Sequence, residues 1–146
     1  MIRLEGADAT EAFGRRLAAA LTPGDVVALY GDLGAGKTTL ARGVLRGLGF
    51  EGDVASPTFP IVLPYDELAV PIWHVDLYRI EDEEELGELA LEEALWDGAL
   101  LIEWPERLGT ALWPQALKLS LSREGEGARA LTAEVPAAWG GRWPLR

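Results

Sequence analysis

The chain has 146 residues, no cysteine, and 24 acidic against 13 basic side chains, a formal net charge of −11. That length suits a single domain, 1–146, around one core. The missing cysteines exclude disulfides and thiolate chemistry, and the acidic balance opposes a broad grip on nucleic acid. Hydrophobic residues make up 49% of the chain, with no apolar run of membrane-spanning length and no signal-peptide pattern at its start. A globular, cytoplasmic chain with no membrane partner is the expectation.

Met1–Glu5 reads as a short strand. Asp8 with Glu11 fits a capping box opening a helix to about Leu21, with Phe13, Leu17 and Leu21 on one face. Pro23-Gly24-Asp25 is a turn. Val26–Tyr30 is an apolar run that enters a glycine-rich turn, where Gly31, Gly34 and Gly36 precede Lys37 and Thr38. The stretch fits G-x-x-x-x-G-K-[ST] between a strand and a helix, the context a phosphate-binding loop requires. Glycines let successive N–H groups converge on an anion, and the helix N-terminus adds partial positive charge there. Lys37 is one of only two lysines in the chain. At this position it can reach β- and γ-phosphates, and the Thr38 hydroxyl can hold Mg²⁺. The following helix carries Leu40, Val44, Leu45 and Leu48, with Gly49 as its stop.

Gly52–Pro71 reads as irregular, with Pro57, Pro60 and Pro64. It is either a connecting loop or a switch in which Ser56 or Thr58 meets the nucleotide. Ile72–Tyr78 alternates as a strand, with Trp73, Val75 and Leu77 on one face and His74, Asp76 and Tyr78 on the other. Asp76 at its end suits a Mg²⁺-supporting carboxylate or a structural cap. His74, the one histidine, reads as a hydrogen-bonded structural residue. Glu81–Glu85 opens an acidic helical stretch, and Leu91–Leu95 continues as a second short helix. Ala99–Glu103 is a buried parallel strand ending in an acid, the layout that puts a carboxylate where open α/β sheets bind ligands. The two strand ends, Asp76 and Glu103, compete for the metal role or share it. Ala116–Ser122 and Arg129–Val135 alternate around a Glu124–Gly127 turn and predict a hairpin. Trp139 and Trp143 have no assigned element.

GDLGAGKTT, SPTF, HVDLYR and IEWPE occur in that order, and the set resembles the TsaE (YjeE) family of bacterial ATPases of tRNA threonylcarbamoyladenosine (position 37) biosynthesis. The resemblance runs from about Thr10 to Arg129. It implies an α/β P-loop NTPase-type three-layer domain, mostly parallel with antiparallel additions. It also implies ATP and Mg²⁺ as ligands, slow hydrolysis by the chain alone, and the TsaD and TsaB proteins as partners. On this resemblance Leu33, Gly34, Ala35, Gly36, Lys37, Thr38 and Thr39 would bind the phosphates. Thr38, Asp76 and Glu103 would serve the metal, and Asp76 and Glu103 would be the catalytic acids. Trp104 would be the functional tryptophan beside the site, and Ser56 and Thr58 would belong to the switch-like loop. Thr10 and Arg129 are candidates for nucleotide contacts beyond the phosphates.

A small-molecule kinase could use the same loop, but the lid of such an enzyme is usually arginine-rich, and Gly52–Val70 has neither arginine nor lysine. A nucleotide-gated binding module is a third class. With a net charge of −11, the isolated chain is expected to bind tRNA little or not at all.

Overall fold

The structure, a computed structural model, describes residues 1–32, 34–54 and 61–145. Its strands are β1 (Ile2–Glu5), β2 (Val26–Tyr30), β3 (Val62–Tyr65), β4 (Ile72–Asp76), β5 (Ala99–Glu103), β6 (Leu117–Arg123) and β7 (Ala128–Glu134). They form one sheet in the order β1-β7-β6-β2-β5-β4-β3. The four strands β6, β2, β5 and β4 run parallel, and antiparallel pairs finish both edges. The helices are α1 (Gly6–Ala20), α2 (Lys37–Gly47) and α3 (Glu83–Glu88), with 3₁₀ segments at Leu91–Trp96, Pro105–Ala111 and Ala137–Trp139.

β2 and β5 read as unbroken apolar runs because helical segments cover the sheet on both faces. Strand alternation sorts their side chains. Val27, Leu29, Ala99, Leu101 and Ile72 join Phe13, Leu17, Leu40, Val44 and Leu45 of α1 and α2 in one core. Val26, Leu100, Ile102 and Val75 join Leu91, Ala94 and Leu108 in a second core on the opposite face. This is the expected three-layer α/β domain of P-loop type. Parity then decides the site. His74 and Asp76 share a face with Ile72, and Glu103 shares one with Ala99 and Leu101, so all three lie on the α2 side of the sheet.

Two local expectations are corrected. Helix α1 begins at Gly6, because the Gly6 amide donates to the Gly127 carbonyl (2.8 Å) and the chain turns directly out of β1. Asp8 therefore lies within the first turn, and Glu5, the N-cap, makes no side-chain cap bond. Within Gly52–Pro71, Val62–Tyr65 is a strand, and it contains Pro64. Among the described residues β3 pairs only with β4, and such an edge position tolerates a residue with no N–H.

The C-terminal segment, unassigned from sequence, is part of the main core. Trp139 is fully buried. Arg142 clamps Asp25 through two bonds, Nη1 to Oδ2 (2.6 Å) and Nη2 to Oδ1 (3.0 Å), beside the turn that enters β2.

Candidate functional site

The carboxyl ends of β2, β5 and β4 form a row. Leu29 is opposite Glu103, and Glu103 is opposite Asp76. The chain leaving β2 curls back into α2, whose N-cap is Gly36 at φ 106°. A side chain at that left-handed position would be strained, and its Cβ would stand 3.5 Å from Arg129 Nε. The first turn of α2 thus opens toward the strand ends with amides that the helix itself cannot satisfy.

A cavity of about 470 Å³ lies there, lined by Gly34, Gly36, Lys37, Thr38, Thr39, Asp76, Tyr78, Glu103, Trp104 and Arg129. Lys37 is 5% exposed, and its Nζ has no hydrogen-bond partner among the described residues. The Trp104 ring lies over it, with its centroid 3.9 Å from Nζ. Trp104 takes a left-handed backbone conformation, φ 59° and ψ 49°, which is costly for a bulky residue. Tyr78 packs against it at a centroid distance of 4.9 Å.

The two carboxylates differ in their anchors. Asp76 Oδ1 accepts from the Tyr78 amide (2.9 Å). Glu103 Oε2 accepts from His74 Nε2 (2.8 Å). Burial pushes the Asp76 carboxyl above its ordinary range; the Tyr78 amide opposes this, and the charge of Glu103 adds to it. Each anchor occupies one oxygen and leaves a second oxygen on each acid.

The residues fit the ligands implied by the sequence. A buried ammonium with no hydrogen-bond partner among the described residues, beside the free amides of a helix N-terminus, fits a phosphate group. The Thr38 hydroxyl with two carboxylates is a hard-oxygen donor set, and Mg²⁺ commonly takes one or two carboxylates together with phosphate oxygens.

The sequence-predicted residues distribute as follows. Gly34, Gly36, Lys37, Thr38, Thr39, Asp76, Glu103, Trp104 and Arg129 line the cavity together. Ala35 is buried, and its amide bonds the Asp32 carbonyl (3.0 Å), closing the loop's internal turn. Arg129 reaches the loop from the start of β7, its Nη2 donating to the Gly34 carbonyl (3.3 Å). Thr10 does not line the cavity: it is buried in α1, and its hydroxyl donates to the Gly6 carbonyl (3.3 Å). Leu33, Ser56 and Thr58 lie outside the described residues. One lining residue and one neighbour of the loop went unassigned from sequence. Tyr78 lines the cavity, a position signalled only by its spacing two residues after Asp76. Arg123 approaches Gly34 closely enough that a Cβ there would stand 2.5 Å from Arg123 Nη2. The hairpin brings Arg123 opposite Arg129, a pairing visible only once the register is known.

A family model described as "TsaE: Threonylcarbamoyl adenosine biosynthesis protein TsaE" matches residues 4–131. A Bacillus subtilis protein named tRNA threonylcarbamoyladenosine biosynthesis protein TsaE is 41% identical over 124 residues, 84% of this chain and 77% of that one. A Streptomyces coelicolor protein of the same name is 41% identical over 134 residues, 89% of this chain and 90% of that one. Among solved structures, the crystal structure of Bacillus subtilis YdiB superposes with a TM-score of 0.79 at 31% identity, covering 94% of this chain and 85% of that one. With the phosphate loop, the paired strand-end acids and these matches in agreement, the chain belongs to the TsaE family.

Proposed function

We propose that this chain binds ATP with Mg²⁺ in the cavity below α2 and hydrolyses it in service of tRNA threonylcarbamoyladenosine formation, with the TsaD and TsaB proteins as partners. The observation that carries the reading is Lys37 Nζ, buried without a hydrogen-bond partner among the described residues, in a cavity shared with Asp76 and Glu103.

In this reading the amides of the loop and of the first α2 turn hold the phosphate oxygens, and Lys37 bridges the β- and γ-phosphates. Thr38 and Asp76 would hold Mg²⁺, with Glu103 beside them. When bound, the ion neutralises charge on the transferring phosphoryl group. Glu103 orients the attacking water and receives its proton as the new phosphorus–oxygen bond forms and the bond to ADP breaks. Trp104 and Tyr78 form one side of the cavity, packed on each other. Arg129 steadies the loop at the Gly34 carbonyl.

The test is phosphate release by the purified chain, alone and with TsaD and TsaB added. Slow turnover alone and faster turnover in the assembly is the expected result. Absence of ATP binding, or equal hydrolysis without Mg²⁺, would defeat the reading.

A further inference from the structure

His74 is fully buried on β4. Its backbone partner across the ladder is Leu101, so Glu103 is its diagonal neighbour on the same face, within reach of a long side chain. The two meet at 2.8 Å, Nε2 to Oε2. Because a carboxylate only accepts, Nε2 carries the proton and donates. A ring retained for packing alone would be better replaced by a hydrocarbon, because His74 Nδ1 is buried with no partner among the described residues. Asp76 stands directly across the ladder from Glu103. Two adjacent carboxylates repel each other, and an untethered Glu103 would swing away from Asp76.

We propose that His74 is a positioning residue: its Nε2–H holds the Glu103 carboxylate beside Asp76 at the cavity wall. This rests on the reading of Glu103 as the hydrolytic acid. The histidine acts through Glu103 and touches no substrate itself.

His74 is the only histidine in the chain, so its imidazole gives a single set of nitrogen signals. With ¹⁵N-labelled histidine, the nucleotide-free wild-type chain should show the Nε2–H tautomer with a slowly exchanging, downfield proton. That proton should move upfield in Glu103→Ala. An unchanged signal in Glu103→Ala would overturn the proposal before any activity is measured.

Turnover with TsaD and TsaB supplies the second readout. His74→Leu should lower kcat by about ten- to hundredfold, with ATP affinity within about twofold of wild type by calorimetry. His74→Gln, whose amide N–H can stand near the Nε2 position, should recover a substantial part of kcat. Equal kcat in His74→Leu and wild type, or equal losses in His74→Leu and His74→Gln, would overturn the proposal. Glu103→Gln serves as the control. Wild-type turnover in that variant would defeat the hydrolytic role of Glu103, whereas the imidazole signals would still report the hydrogen bond.

Discussion

Lys37 Nζ stands 3.9 Å above the centroid of the Trp104 ring, so the phosphate-loop lysine rests on an aromatic face. A desolvated cation–π contact is worth about 2 kcal/mol, less than a triphosphate offers the same ammonium. Lys37→Met should keep the stem against Trp104 while removing the charge. Losing a charged hydrogen bond of about 1.5–3 kcal/mol lowers affinity by about ten- to hundredfold. Calorimetric titration with ATP measures this. The nucleotide-free Tm should stay roughly level, because the lost cation–π contact is offset by removing a buried ammonium that has no hydrogen-bond partner among the described residues.

The two acids should separate binding from chemistry. Glu103→Gln keeps the shape and an oxygen for His74 but cannot take a proton from water. Its turnover with partners present should fall about 10²-fold or more, with ATP affinity largely retained. Asp76→Asn should raise the Mg²⁺ concentration needed for half-maximal turnover and also lower the turnover itself. Phosphate release across a Mg²⁺ series distinguishes the two.

Asp76 also makes stability depend on pH. Its carboxyl lies above the ordinary 3.8, burial being the main cause. The folded chain therefore holds this proton more tightly than the unfolded chain does. The stabilisation is fully present below 3.8 and is lost as pH rises through the raised folded value. At neutral pH, with Mg²⁺ chelated, the ionised carboxylate destabilises the chain. Asp76→Asn, which still offers an oxygen to the Tyr78 amide, should resist urea better than wild type at pH 7. The advantage should close below pH 3.8.

Helices α1 and α2 touch through glycines. A Cβ on Gly43 would overlap the Glu11 carbonyl oxygen, and one on Gly14 would overlap that of Leu40. Backbone oxygens cannot swing aside as a side chain can. Gly43→Ala should therefore cost about 1–3 kcal/mol by overpacking. It should also weaken ATP binding, since α2 carries Lys37 and Thr38. Urea midpoints and titration calorimetry read the two effects.

The surface charge makes a separate prediction. With a net charge of −11, few basic groups are available to displace counterions from a phosphate backbone. The isolated chain should give no tRNA gel shift at physiological salt. Affinity for TsaD and TsaB should exceed its affinity for tRNA in the same buffer, measured by biosensor.

Much of the domain was legible because its signals are local. The apolar runs Val26–Tyr30 and Ala99–Glu103 announce central strands, and the alternation of Leu117, Leu119 and Leu121 announces β6. β3 was not legible, since Pro64 argues against a strand unless the segment is known to lie at an edge. The start of α1 was misplaced because Asp8 and Glu11 imitate a cap. The bond from Gly6 to Gly127, which sets the true start, joins residues far apart in sequence.

By itself the sequence determined the phosphate loop, the strand-end acids and the acidic surface, since spacing, composition and charge do not depend on how the chain is packed. Only the tertiary structure decided that Asp76 and Glu103 are neighbours, because β4 and β5 could have paired in another order or register. It also decided that His74 anchors Glu103 and that Trp104 lies over Lys37. Those contacts depend on which face a side chain takes and on one left-handed backbone position, and both are settled by long-range packing.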